Sequence, residues 1–311
     1  MRIAIMGSGG VGGLIGGQLV QAGEDVTFIA RGANLEALRT HGLAIKSSAL
    51  GDFASSVVAT DDPVTIGVVD LVLVCVKTYD LDAAAVRLAP LIGPGTIVLP
   101  LQNGIDSAER LTRVVDPTAV VGGVAYLVAS RTAPGVIVHQ GMNRIVVGEP
   151  SGGSSPRLER LRDVFKRTRI VADVSDNFRV PMWEKFVLLA ATGGVMALTR
   201  IPIGPIRDCP ETYALFRGAI EEAVAVGRAL GVPLPDDCVD RHLAAVAGLS
   251  PAARSSMLTD VLAGRRLELE ALNGAVVRLG RQAGVAAPLN FAVYAALKPY
   301  AYGAPGAAPV T

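Results

Sequence analysis

Gly7-Ser8-Gly9-Gly10-Val11-Gly12 follows the apolar run Ile3-Ala4-Ile5-Met6 and opens the helix-like stretch 11–22, which Gly23 closes. The six residues fit G-x-G-x-x-G. In a chain with 35 glycines that spacing alone is weak. Its setting is what gives it meaning, because it joins a strand without polar interruption to the start of a helix. Gly7 permits a tight turn, Gly9 lets the backbone approach a pyrophosphate, and Gly12 lets helix and strand pack closely. The first N–H groups of the helix, with the positive end of its dipole, then face the phosphates. The bland alternative is a glycine-rich turn without a ligand. The strand–turn–helix setting favours a dinucleotide site formed by Gly7, Ser8, Gly9, Gly10, Val11 and Gly12.

On either side of this loop, short apolar runs alternate with helix-like segments. Strands are expected at 26–30, 71–76 and 96–101, and with the first they make a parallel sheet of βαβ units. Further strands are expected at 120–128 and 137–147, with Gly135 and Gly141 as turns around the second. A short helix at 157–167 and a last strand of the sheet at 170–174 follow. Beyond residue 176 the period changes. Apolar residues at 182, 186, 189 and 196 have helical spacing, 215–230 reads as a second helix, and a third carries Leu269, Leu272, Val276, Leu279 and Ala283 on one face. The expectation is an α/β protein. Residues 1–175 would form a Rossmann-like, doubly wound nucleotide domain, and 176–311 a mainly α-helical substrate and dimerisation domain. The Gly/Ala/Pro-rich tail from Gly303 is expected to fray.

Composition sets bounds on function. A length of 311 residues suggests two domains. Hydrophobic residues at 50% and charged residues at 18% are enough for sizeable cores. Lys+Arg 29 against Asp+Glu 28 gives a net charge of +1, which supports neither nucleic-acid binding nor a polybasic membrane surface. The apolar runs fall short of the roughly 20 residues of a membrane helix, and no signal peptide is visible. Cys75, Cys209 and Cys238 are odd in number and far apart, as expected in a reducing, cytoplasmic compartment. The three histidines lie far from one another and only His242 is near a cysteine, Cys238, too few ligands for a metal site to be expected.

The end of the second strand discriminates between cofactors. An NAD site usually places a carboxylate there for the ribose 2′-hydroxyl. Here the segment reads Phe28-Ile29-Ala30-Arg31-Gly32, and Asp25 lies at the wrong end. The planar fork of Arg31 suits a 2′-phosphate, hence NADP; its other reading is a solvated surface arginine. Val76-Lys77-Thr78 and Gln102-Asn103-Gly104 each end a strand, where ligands of open parallel sheets sit, although both could be ordinary loop chemistry. In Trp183-Glu184-Lys185-Phe186, Lys185 borders the apolar face of its helix. Desolvation there would lower its pKa and make it a proton donor near neutral pH; alternatively it snorkels. Glu268 lies beside the apolar stripe of the third helix. It reads as a solvated carboxylate paired with Arg265, as a partner of Lys185, or as a ribose contact.

Together with Ser255-Ser256-Met257, Asp260 and Asn273-Gly274, these segments resemble the ketopantoate reductase (2-dehydropantoate 2-reductase) family over nearly the whole chain. The resemblance implies an N-terminal Rossmann domain, a helical C-terminal domain and a cleft between them. It implies Lys185 as general acid. It implies NADP contacts from Lys77, Asn103, Glu268 and the Ala129 backbone, substrate contacts from Asn103 and Lys185, and a carboxylate contact from Ser256. It further implies reduction of ketopantoate to pantoate, a small-molecule keto substrate and, by family analogy alone, a homodimer. The chain departs from the family where substrate-binding asparagines are usual: those positions read Leu189, Gly193 and Ile203. A larger or more apolar ketone, 2-oxo acid or imine is therefore the alternative substrate. The related 3-hydroxyacid and glycerol-phosphate dehydrogenases fit the later segments less well. A non-catalytic NADP sensor would need no lysine acid.

Overall fold

The computed structural model describes residues 1–305. Its strands are β1 (Arg2–Met6), β2 (Asp25–Ile29), β3 (Leu43–Ser47), β4 (Phe53–Ser55), β5 (Val58–Thr60), β6 (Leu71–Val74), β7 (Ile97–Pro100), β8 (Gly122–Ala133), β9 (Val136–Gly148) and β10 (Val171–Val174). Its first helices are α1 (Gly10–Gln21), α2 (Gly32–His41), α3 (Leu81–Ala85), α4 (Ser107–Leu111) and α5 (Pro156–Lys166). They are followed by α6 (Arg179–Thr199), α7 (Ile203–Asp208), α8 (Pro210–Ala229), α9 (Cys238–Ala247), α10 (Ser256–Leu262), α11 (Asn273–Ala283) and α12 (Pro288–Leu297). The chain divides into two compact units. One comprises residues 1–102 and 106–181, and the other residues 103–105 and 182 onward.

In the first unit, β5-β2-β1-β6-β7 form an all-parallel sheet. Alternate residues serve opposite faces. Ile3, Ile5, Leu71, Leu73, Ile97 and Leu99 enter one core, while Ala4, Met6, Val72, Val74 and Val98 enter another. Burial on both sides is why these strands read as unbroken apolar runs.

The expected strands at 120–128, 137–147 and 170–174 do not extend this sheet. They build a second one, β10-β9-β3-β4, with β8 antiparallel to β9. Pro134-Gly135 closes that hairpin, with Gly135 at φ +71°. A two-residue turn reverses the chain, so the strand it feeds cannot continue a βαβ sheet. Gly141 is not a turn. It lies within β9 at φ +139°, opposite Val128, where the register with β8 shifts.

Helix α1 packs against both sheets, which explains glycines that would each cost a helix about 1 kcal/mol. An added Cβ at Gly16 would lie 2.5 Å from the Phe28 ring, and one at Gly17 would lie 2.5 Å from Ile45 Cδ1. One i, i+4 row thus admits the parallel sheet and the neighbouring row admits the other.

The second unit is helical. From Phe186 to Ala197, α6 is buried almost all round. Its polar core is built around Asn273, whose amide donates to Ala190 O (3.1 Å) and to Asn290 Oδ1 (3.0 Å). Glu222 of α8 accepts from the backbone N–H of Leu289 and Asn290, and so caps α12. Tail residues 306–311 lie outside the described residues.

Candidate active site

The glycine loop is held as its sequence demands. Gly7 sits at φ +104°, and a Cβ there would come within 2.8 Å of Val76 N. A Cβ on Gly10 would lie 2.2 Å from Ala129 O, and one on Gly12 would lie 2.1 Å from Gly7 O. Around Gly9, by contrast, no atom lies within 4 Å of that position. Close packing therefore excludes side chains at Gly7, Gly10 and Gly12, while Gly9 leaves the loop open on the side a pyrophosphate would need. Ser8 is buried, and its hydroxyl accepts from Asn34 Nδ2 at 2.7 Å. Asn34 Oδ1 in turn accepts from Gly135 N at 2.9 Å. The sequence carried no signal for Asn34 beyond its place in the first turn of α2; its partners lie 26 and 101 residues away.

Arg31 is exposed where β2 ends and α2 begins. Asp25, at the other end of β2, pairs with Arg2 at 3.8 Å. Half-buried Lys77 follows β6 and leads into the short turn at 78–80. The Ala129 carbonyl faces the glycine loop from β8. Donors for phosphates and the open side of the loop thus occur together in the first unit, and the residues present fit a dinucleotide.

In the second unit three of the expected residues meet. Lys185 Nζ donates to Asn103 Oδ1 at 3.1 Å, and Asn103 Nδ2 donates to Glu268 Oε2 at 3.2 Å. The two bonds fix the amide orientation of Asn103, since an ammonium can only donate. Lys185 does not snorkel. Its ammonium turns to Asn103, and desolvation lowers its pKa to about 8, against the Glu268 carboxylate, which raises it. Glu268 is 6% exposed, so it is not a solvated helix carboxylate. Nor does it pair with Arg265, which binds Asp260 at 2.8 Å. The third helix starts later than its periodicity suggests: Leu272 has φ −110° and ψ −99°, which separates α11 from the short turn at 269–271. Glu268 precedes that turn and is aimed inward.

The remaining expected residues differ in setting. Leu189 is half-buried one turn beyond Lys185, and Gly193 is buried one turn further. A Cβ on Gly193 would lie 3.0 Å from Met257 Cε and 3.5 Å from Leu272 Cδ1, so its surroundings are buried apolar side chains. Ile203 is fully buried, in the core rather than on a pocket wall. Ser255 caps α10 by accepting from Leu258 N at 3.1 Å, which leaves Ser256 exposed at the first helical position. Trp183 packs edge-on to Phe186 at 5.2 Å, and Glu184 pairs with Arg241 at 3.0 Å. Among the described residues no cluster of three or more His, Cys, Asp or Glu could hold a metal, and no helix is long and apolar enough to cross a membrane.

Comparison with known proteins gives a consistent answer. The profile of the family "Ketopantoate reductase PanE/ApbA" matches residues 3–152, and that of its C-terminal domain matches residues 177–301. A 2-dehydropantoate 2-reductase of Caulobacter vibrioides is 35% identical over 95% of this chain and 97% of its own. An uncharacterized oxidoreductase of Bacillus subtilis, YkpB, is 29% identical over 96% and 99%. The crystal structure of 2-dehydropantoate 2-reductase from Geobacter metallireducens superposes with a TM-score of 0.91 at 32% identity, covering 96% of this chain and 99% of that one. The chain belongs to the ketopantoate reductase family, whose members are oxidoreductases that act on a keto group with NADPH.

Proposed function

We propose that the protein reduces a 2-oxo acid to a 2-hydroxy acid with NADPH, and that Lys185 is its general acid. The observation that carries this reading is the Lys185–Asn103–Glu268 constellation, with the lysine pKa lowered to about 8. Ketopantoate is the substrate that the names of the relatives suggest.

Gly7 to Gly12 and the first N–H groups of α1 would hold the pyrophosphate. Arg31 would hold the 2′-phosphate, with Lys77, Asn103, Glu268 and the Ala129 backbone as further cofactor contacts. When bound, NADPH supplies the hydride that reduces the ketone carbon. The protein's task is to neutralise the charge that then grows on the carbonyl oxygen. Lys185 Nζ does so with a proton, and a pKa near 8 leaves it charged yet ready to give that proton up at neutral pH. Asn103 sets the direction of Nζ, and Glu268 keeps the ammonium protonated in a desolvated setting. Ser256, exposed at the start of α10, would hold the substrate carboxylate. Residues 1–175 serve the nucleotide, and 176–311 serve substrate and dimer formation; sedimentation at micromolar concentration tests the homodimer.

A second reading concerns the substrate's tail. An apolar setting, half-buried Leu189 and Gly193 packed on the buried Met257 and Leu272, lies beyond Lys185 along α6 and offers no amide to a hydroxyl group. It favours a substrate with a larger or more apolar tail than ketopantoate. NADPH consumption with ketopantoate and a panel of apolar 2-oxo acids and ketones decides. Faster turnover of ketopantoate establishes the first reading, and faster turnover of a bulky apolar acid establishes the second. No turnover with any of them defeats both and returns the chain to a nucleotide-binding sensor.

A further inference from the structure

Gln102 follows β7 at the carboxyl edge of the parallel sheet and is 8% exposed. Its Nε2 donates to Val74 O at 2.9 Å, across the end of β6. A backbone carbonyl can only accept, so this bond fixes which end of the amide is which. The other end, Oε1, is buried and has no hydrogen-bond partner among the described residues. A buried carbonyl oxygen that has lost water and gained nothing is costly, and native proteins seldom leave one so.

Its position indicates what it could serve. The sheet order is β5-β2-β1-β6-β7, with the glycine loop at the end of β1. Ligands of such sheets lie beyond the carboxyl ends of the strands, around the point where the strand order reverses. Arg31 marks the β2 side, so one half of a dinucleotide runs there from the pyrophosphate and the other half runs toward β6 and β7. Gln102 hangs over the β6 and β7 ends. We infer that Gln102 Oε1 is a positioning acceptor for the carboxamide N–H of the nicotinamide, and so helps fix which way round the ring lies. This inference rests on the NADP reading of the glycine loop. It gives a role to a side chain that had none in the Gln102-Asn103-Gly104 segment.

The probe that isolates this bond is the 3-acetylpyridine analogue of NADP⁺, which replaces the carboxamide NH₂ with a methyl group and keeps the rest of the cofactor. Calorimetry on the full chain would compare NADP⁺, the analogue and adenosine 2′,5′-bisphosphate, for wild type, Gln102→Met and Gln102→Glu. The wild type should bind NADP⁺ about 5- to 10-fold more tightly than the analogue, the worth of one neutral hydrogen bond in a buried site. Gln102→Met should bind the two alike, and Gln102→Glu, which keeps an acceptor, should still discriminate. All three proteins should bind the bisphosphate equally, because it lacks the nicotinamide. A thermal melt screens for folding, and if Gln102→Met does not fold, wild type and Gln102→Glu decide. Equal binding of NADP⁺ and analogue by the wild type, or the same ratio in wild type and Gln102→Met, would overturn the inference and leave Oε1 an unsatisfied buried acceptor. Absence of binding by any nucleotide would overturn it together with the NADP reading, and the bisphosphate arm shows which of the two has failed.

Discussion

The glycine loop and the Lys185 constellation achieve precision in opposite ways. In the loop, backbone packs on backbone: Gly10 lies against Ala129 O and Gly12 against Gly7 O, leaving no space for a Cβ. In the constellation, long side chains from distant parts of the sequence hold one another through two hydrogen bonds. A backbone cradle binds what every dinucleotide shares, the pyrophosphate, and has few ways to vary. A side-chain cluster can keep its acid while the residues beyond it change, as at Leu189 and Gly193. On the proposed function, a common cofactor with a divergent substrate site would follow from that difference.

The comparison yields graded predictions. The largest effect is expected at the proposed general acid. Lys185→Ala should lower kcat for reduction by about 100-fold or more, the usual size of a general-acid contribution, with cofactor affinity little changed. A change confined to KM would make Lys185 a binding residue. Next comes the cradle. Gly10→Ala sets a methyl against the Ala129 carbonyl, where both partners are backbone, and should cost about 1–3 kcal/mol of stability or of NADPH binding. Denaturant melts and calorimetry would measure it, and an unperturbed variant would mean that the loop yields easily. Smaller still is the effect expected at Arg31, the proposed cofactor selector. Arg31→Ala should raise KM for NADPH about 10-fold, from the loss of a charge-assisted contact, and leave KM for NADH unchanged. Equal effects on both would return Arg31 to a solvated surface role.

The same contrast explains what could be read from the sequence. The loop was legible because each glycine answers a local demand, and the strand before it and the helix after it are its neighbours in the chain. Lys185 at the border of an apolar face was legible too, because it follows from helical spacing; the lowering of its pKa was not, since a snorkelling lysine fits the same spacing. That Lys185 and Glu268 share Asn103 was not legible, since the two bonds join residues 82 and 165 positions apart. Glu268 was assigned to a helix because Leu269, Leu272 and Val276 keep helical spacing across the break at Leu272. The second sheet was missed because β4 is only three residues long and β8 and β9 form a hairpin. Ile203 was placed on the substrate surface by alignment alone, and its burial puts it in the core.

The measurement that tests the account most directly is the pH dependence of kcat/KM for reduction, in wild type and in Glu268→Gln. A proton donor works in its protonated form, so the rate should hold below the pKa of Lys185 and fall as pH rises through about 8. The Glu268 carboxylate raises that pKa, so its removal should move the falling limb to lower pH. A wild-type limb near 8 that shifts downward in Glu268→Gln is the predicted result. A profile flat through pH 8, or a limb that stays put or moves upward in the variant, would contradict the assignment of Lys185 as the acid tuned by its neighbours.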